Sequence, residues 1–220
     1  MPVLRTTAKR FALSALTMLL AFSLTAQQQT TASPPTKSVH ELLFEDQSEL
    51  PTAAANGAPP VAYEVFRKHA SLRRARVREL LEAGQLKTGE DYHDASLIFQ
   101  HGETADDYLL AHVLAVEAVI KGDDRSKWMT AATLDRYLQL IKQAQVFGTQ
   151  YPALEDKAKA APGSSLFAGR TQAPYNETLV PEAVRIDFCV PGLEQQKKNV
   201  VTLNSGRYPG GAMVAPGCSR

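Results

Sequence analysis

DASLIFQHGETADDYLLAHVLAVEAVIKGDDRSKWMTAATLDRYL, running from Asp94 to Leu138, is the stretch whose pattern decides the fold. Apolar residues recur in it three and four positions apart, and small ones alternate with large ones, the pattern of helices that pack closely on one another. Gly102 and Gly122 interrupt the periodicity. Thr104 offers a capping hydroxyl, and Asp106 and Asp107 place negative charge where a helix dipole is positive. The spacing predicts a short helix over Tyr92–Gln100, a longer one from Thr104 to Gly122, and a third starting near Ser126 that carries Trp128, Ala131, Ala132, Leu134, Leu138 and Ile141. The middle helix is apolar most of the way round and is expected to be central. Hairpins of this kind need about three stacked repeats to form a solenoid. The predicted fold is therefore mainly α: a compact helical bundle with helix-hairpin, repeat-like packing and an irregular C-terminal segment.

Towards the N-terminus, Tyr63, Phe66, Ala70, Val77, Leu80 and Leu81 keep helical spacing up to Gly84. The residues before them, 27–60, are rich in Gln, Thr, Ser, Pro and Ala and bury too little apolar surface to offset chain entropy. They are expected to form a disordered linker, within which Val39–Phe44 is an apolar island able to dock as a helical turn. Residues 1–26 have the order of a secretory signal: Arg5, Lys9 and Arg10, then an apolar run from Phe11 to Leu24, then small residues. That run is about 14 residues, short of the ~20 that span a bilayer, so cleavage rather than stable membrane insertion is expected. No Cys follows it to carry a lipid anchor.

Towards the C-terminus the pattern weakens after Tyr151. Residues 181–188 suit a short helix, although Val184-Arg-Ile-Asp-Phe188 alternates like a strand, and Gly192–Leu203 suits a further helix stopped by Gly206. The helical domain is placed at 61–206 and a tail at 207–220. An exported chain meets a compartment that permits disulfides, so Cys189 and Cys218 are expected to pair and tether that tail.

The formal net charge is +1, from 24 basic and 23 acidic residues, which gives no field to attract nucleic acid. His40, His69, His93, His101 and His112 show no metal-ligand spacing, and phosphate-loop, dinucleotide and nucleophile-elbow signatures are missing. Neither metal nor cofactor is expected.

What remains is a set of polar groups on apolar faces. Asp135 lies within roughly 20° of Trp128 on its helix and should point inward, where a carboxylate must be paired, hydrogen-bonded or protonated. Arg136 follows it, and His112 lies between Tyr108 and Ala115 on the preceding helix. These three are candidate catalytic residues: His112 as general base, Asp135 orienting it and Arg136 stabilising negative charge. The alternative is an internal ion-pair network. Gln100-His101-Gly102 has an ordinary explanation as a helix end, with the histidine near the last carbonyls and the glycine left-handed. In Gln145-Val-Phe-Gly-Thr-Gln150, two amides and a hydroxyl flank a glycine, which suits either a polar ligand or a loop fastened to the bundle.

Taken together, Ala95–Gly102, Ala111-His112 through Ala118, Trp128, Leu134-Asp135-Arg136 and Gln145–Gln150 resemble the bacterial family catalogued as domain of unknown function 6624. The resemblance spans about Val61 to Gln150. It implies a bacterial source and a shared site of Gln100, His101, His112, Asp135, Arg136, Gln145, Thr149 and Gln150. The leading expectation is an exported helical binding module that recognises a polar ligand or peptide through Gln100, His101, Gln145, Thr149, Gln150 and Arg136. The alternatives are a hydrolase-like enzyme using His112 and Asp135, and a purely structural envelope protein.

Overall fold

The structure is a computed structural model that describes residues 37–53, 60–153 and 169–218. The signal segment at 1–26 and most of the linker lie outside the described residues. Helices α1 (Val39–Ala53), α2 (Pro60–Glu82), α3 (Gly89–Phe99), α4 (Ala105–Ile120), α5 (Ser126–Leu140), α6 (Glu182–Asp187) and α7 (Leu193–Asn204) follow one another, and a 3-10 turn (Gly210–Met213) comes after them. Two isolated bridges, Gln145 to Tyr175 and Ala153 to Arg170, are the extended pairings among the described residues. The mainly helical, closely packed architecture expected from Asp94–Leu138 is what the structure shows.

The central hairpins form for local reasons. Thr88 starts α3 with a reciprocal cap: its hydroxyl accepts from the Asp91 N–H (3.1 Å), and Asp91 accepts from the Thr88 N–H (2.9 Å). Thr104 caps α4 by accepting from the Asp107 N–H at 3.1 Å. Between the helices, Ala95, Ala111, Ala115, Ala118, Ala131 and Ala132 are essentially inaccessible. Their small size lets α3, α4 and α5 approach, with α4 in the middle.

The linker departs from the expectation of disorder. Residues 39–53 are not a disordered tether: Ser38 and Glu41 cap a helix whose Val39, Leu42 and Leu43 enter the main core beside Val77, Leu80, Ile98 and Phe99. Asp46, one turn further along that face, is fully buried. Its carboxylate meets Arg73 Nη1 at 3.1 Å and His101 Nδ1 at 2.6 Å, and Arg73 also reaches Glu49. The island at Val39–Phe44 was expected to dock as no more than a helical turn, and the helix extends it to Ala53.

A second, smaller core lies towards the C-terminus, where Ala131, Phe147 and Val190 are joined by Trp128, Leu134, Val180 and Phe188. Here residues 182–187 are helical rather than extended. The tail is held as expected: Cys189 and Cys218 form a disulfide, and the Ala215 N–H donates to Cys189 O at 2.8 Å. Among the described residues no helix is long and apolar enough to cross a membrane.

Candidate functional site

Asp135 organises the region. Its carboxylate is fully buried on α5 and points into the loop after that helix. Oδ1 accepts from the backbone N–H groups of Val146 (2.8 Å) and Phe147 (3.0 Å), and Oδ2 accepts from the Thr149 N–H (2.9 Å) and hydroxyl (2.7 Å). Three converging amides and a hydroxyl make an anion nest whose anion is the protein's own. Charge-assisted bonds of this kind are about twice as strong as neutral ones and offset the desolvation of a buried carboxylate.

The other face of the same loop is held by the C-terminal segment. Phe147 O accepts from Arg185 Nη1 (2.7 Å), Gln196 Nε2 (2.9 Å) and the Tyr175 hydroxyl (3.1 Å). Arg185 is wholly buried, and its Nη2 donates to Glu177 O at 3.0 Å. The backbone of Phe147 thus stands between a buried carboxylate at its N–H and a buried guanidinium at its C=O. Burial pushes the Tyr175 phenol up to about 12, so it stays a hydrogen-bond donor at neutral pH.

The two amides flanking the loop are used internally. Gln145 is fully buried: its Nε2 donates to Gln150 O (3.0 Å) and to Gln172 O, and its Oε1 accepts from the Gln150 N–H (3.0 Å). Gln150 accepts from Arg136 Nε at 3.0 Å, and its own Nε2 donates to Ala132 O (3.2 Å) and Thr149 Oγ1 (3.1 Å). Arg136 also donates to Gln100 O at 3.0 Å. Burial holds its guanidinium below the ordinary arginine value, and the Tyr108 hydroxyl partly opposes that shift. Arg136 pairs with no carboxylate among the described residues.

Gly148, at φ +78, lies where the loop meets Gln196 and Tyr175. A Cβ there would stand 2.1 Å from Gln196 Oε1 and 2.6 Å from the Tyr175 ring. The expectation that this glycine permits close backbone approach holds, but the approach is to the protein's own side chains. Gly148→Ala should destabilise the fold by about 2–3 kcal/mol, from left-handed strain plus overlap, read as a lower urea midpoint.

The structure therefore brings together Asp135, Arg136, Gln145, Thr149, Gln150 and the carbonyl of Gln100. Two expected members go elsewhere. His112 Nδ1 bonds Thr130 O at 2.9 Å, and all four contacts of Asp135 go to the loop, so the imidazole–carboxylate pair expected of a general base does not form. The reason is local: the backbone carbonyl of Thr130 lies nearer to His112 than any carboxylate, while the loop amides saturate Asp135. His101 is drawn away from the loop to Asp46. Gly102 is not left-handed; it is required because a Cβ would stand 2.3 Å from Asp107 Cβ and 2.8 Å from Phe99 O.

Beside this clamp lies an open cleft of about 540 Å³, lined by Gln139 and Lys142 from the end of α5, Pro152 and Ala153 after the loop, and Thr171, Ala173 and Pro174 from the opposing segment. The Gln139 amide nitrogen is buried without an acceptor. Lys142 holds a left-handed backbone at φ +62, is exposed, and pairs with no carboxylate among the described residues. Nothing in the sequence marked these two, because each is an ordinary polar residue at a helix end. Arg185, Gln196 and Asp46 also went unnoticed in the sequence, as single polar residues within otherwise unremarkable helical segments. Among the described residues no group of three His, Cys, Asp or Glu side chains is placed to hold a metal. No protein-family model matches the chain, and neither a curated protein nor a solved structure matches it.

Proposed function

We propose that this chain is an exported bacterial binding module that takes a small polar ligand or peptide bearing a carboxylate in the cleft at the end of α5. One observation carries this reading: Lys142, an exposed ammonium that pairs with no carboxylate among the described residues, lines the cleft between Pro and Ala walls. A carboxylate supplies the counter-charge for Lys142, and the apolar walls take a side chain. The loop from Gln145 to Gln150 then serves as a scaffold that fixes Pro152 and Ala153 rather than as the ligand contact. Export is supported by the signal-like order of residues 1–26 and by the Cys189–Cys218 bond, which persists in an oxidising compartment. The bacterial origin rests on the resemblance to domain of unknown function 6624. The hydrolase-like alternative loses its support, since His112 and Asp135 do not meet.

An NMR titration with acetyl-Ala-Ala as the free acid and as the amide tests the proposal. The free acid should shift the resonances of Gln139 and Lys142 saturably, and the amide should bind at least about fivefold more weakly, the loss of a roughly 1 kcal/mol ion pair. Lys142→Gln should remove that difference. Equal binding of both peptides, or no binding of either at tens of millimolar, would reject the cleft as a carboxylate site.

A further inference from the structure

Arg136 differs from the arginines of α2. There, buried Arg73 meets Asp46 and buried Arg74 meets Asp107, so each guanidinium has a carboxylate. Arg136 is bonded to neutral acceptors only: its Nε donates to Gln150 Oε1 and its Nη1 to Gln100 O, both at 3.0 Å. Its neighbour Asp135 supplies no counter-charge, because all four contacts of that carboxylate go to the loop. Gln100 caps the C-terminal end of α3, where the helix dipole contributes only roughly half a negative charge. Arg185 is likewise held by neutral groups, but it is wholly buried, whereas Arg136 is half-buried. Nη2 of Arg136 donates to no acceptor among the described residues, yet it is not a buried atom. Two phenols share the place: the Tyr108 hydroxyl, from the first turn of α4, lies beside the guanidinium, and Tyr63, exposed near the start of α2, is within its electrostatic range.

We propose that Arg136 is the centre of a second ligand site, which binds an anionic oxygen group, a carboxylate or a phosphoryl group, between Nη2 and the Tyr108 hydroxyl. An anion there accepts one charge-assisted bond from Nη2 and one bond from the phenol, and it brings the negative charge that the protein itself does not place beside this cation. Gln150 Oε1 and Gln100 O are positioning groups: they hold the plane of the guanidinium, so little side-chain freedom is lost when the anion arrives. Burial already depresses the guanidinium below its ordinary value, the cost of taking a cation out of water without a counter-ion, and a bound anion relieves that cost. The site shares no residue with the cleft at the end of α5 and does not depend on it.

Titration of the full chain with potassium acetate and with potassium phosphate, each replacing chloride at constant ionic strength, tests this by NMR. The Arg136 Nε–H resonance should shift saturably, with a dissociation constant on the order of 1 mM for the better anion, as one charged and one hydroxyl bond provide. The anion that binds more tightly tells carboxylate from phosphoryl recognition. Tyr108→Phe, which removes only the hydroxyl, should weaken binding about fivefold, the loss of one hydrogen bond. Arg136→Gln, followed at the Gln100 amide, should abolish it, and Lys142→Gln should leave it unchanged, which separates this site from the cleft. No saturable shift with either anion at about 100 mM overturns the proposal, since binding that weak is not a site. So does a response that survives Arg136→Gln, or one indifferent to Tyr108→Phe. Should Arg136→Gln fail to fold, the Tyr108→Phe comparison decides alone.

Discussion

Replacing Asp135 with Asn is expected to lower the free energy of unfolding by about 3–5 kcal/mol, although the two side chains have nearly the same shape. The carboxylate accepts four hydrogen bonds and donates none. An amide in its place must turn an NH₂ group toward one pair of donors. If it faces Val146 and Phe147, two backbone N–H groups are left unsatisfied in a site with no access to water. If it faces Thr149, the hydroxyl can rotate to accept, but the Thr149 N–H cannot. Either way at least one buried donor is orphaned, at about 1–3 kcal/mol, and the charge assistance to the remaining bonds is lost. Urea denaturation should show a lower midpoint with an unchanged slope. A loss below about 1 kcal/mol would mean that the loop is anchored elsewhere. The catalytic role once expected of Asp135 makes no such demand on stability, so the measurement separates the two.

Removing the disulfide is expected to have the next largest effect. Cys189 and Cys218 are 29 residues apart in sequence. Closing a loop of that length stabilises by about 3.5 kcal/mol on the chain-entropy estimate. Cys189→Ser with Cys218→Ser, or reduction of the unmodified protein, should lower the thermal midpoint by that equivalent. Hydrogen exchange should speed up first at Ala215, whose N–H bonds Cys189 O, while the amides held by Asp135 stay protected. Uniform acceleration across the whole chain would show that the tail is not a separately opening unit.

Much of the helical frame was legible because it rests on short-range rules. Thr104 and its two following aspartates marked the start of α4, and Gly84 and Gly122 stand where the pattern stopped their helices, both left-handed, whereas Gly102, for which that conformation was expected, is not. The inward position of Asp135 followed from its angle to Trp128. Its partners did not, because a backbone amide eleven to fourteen residues away leaves no trace in side-chain chemistry. Asp46 and His101 meet across 55 residues, so neither could be assigned from its own neighbourhood. Arg185 is the sharpest case. Val184 and Ile186 are more than a third exposed and the arginine between them is wholly buried, the inverse of what hydropathy dictates. The inversion arises because Phe147 O, Tyr175 and Glu177 O offer the guanidinium a ready-made set of acceptors. Side-chain pattern predicts where water is excluded only when no such receptor has been assembled by distant parts of the chain.

The position of the Phe147 backbone has a consequence for how the molecule comes apart. Its N–H is anchored to a helix of the hairpin bundle and its C=O to helices α6 and α7, so neither lobe reaches its final state alone. A chain ending near residue 150 would keep every residue of the hairpins yet leave that carbonyl facing solvent and the loop unsupported. Heating should therefore dissolve both cores in a single cooperative transition, with the calorimetric and van't Hoff enthalpies equal. The backbone of one residue makes two bodies of side chains melt as one.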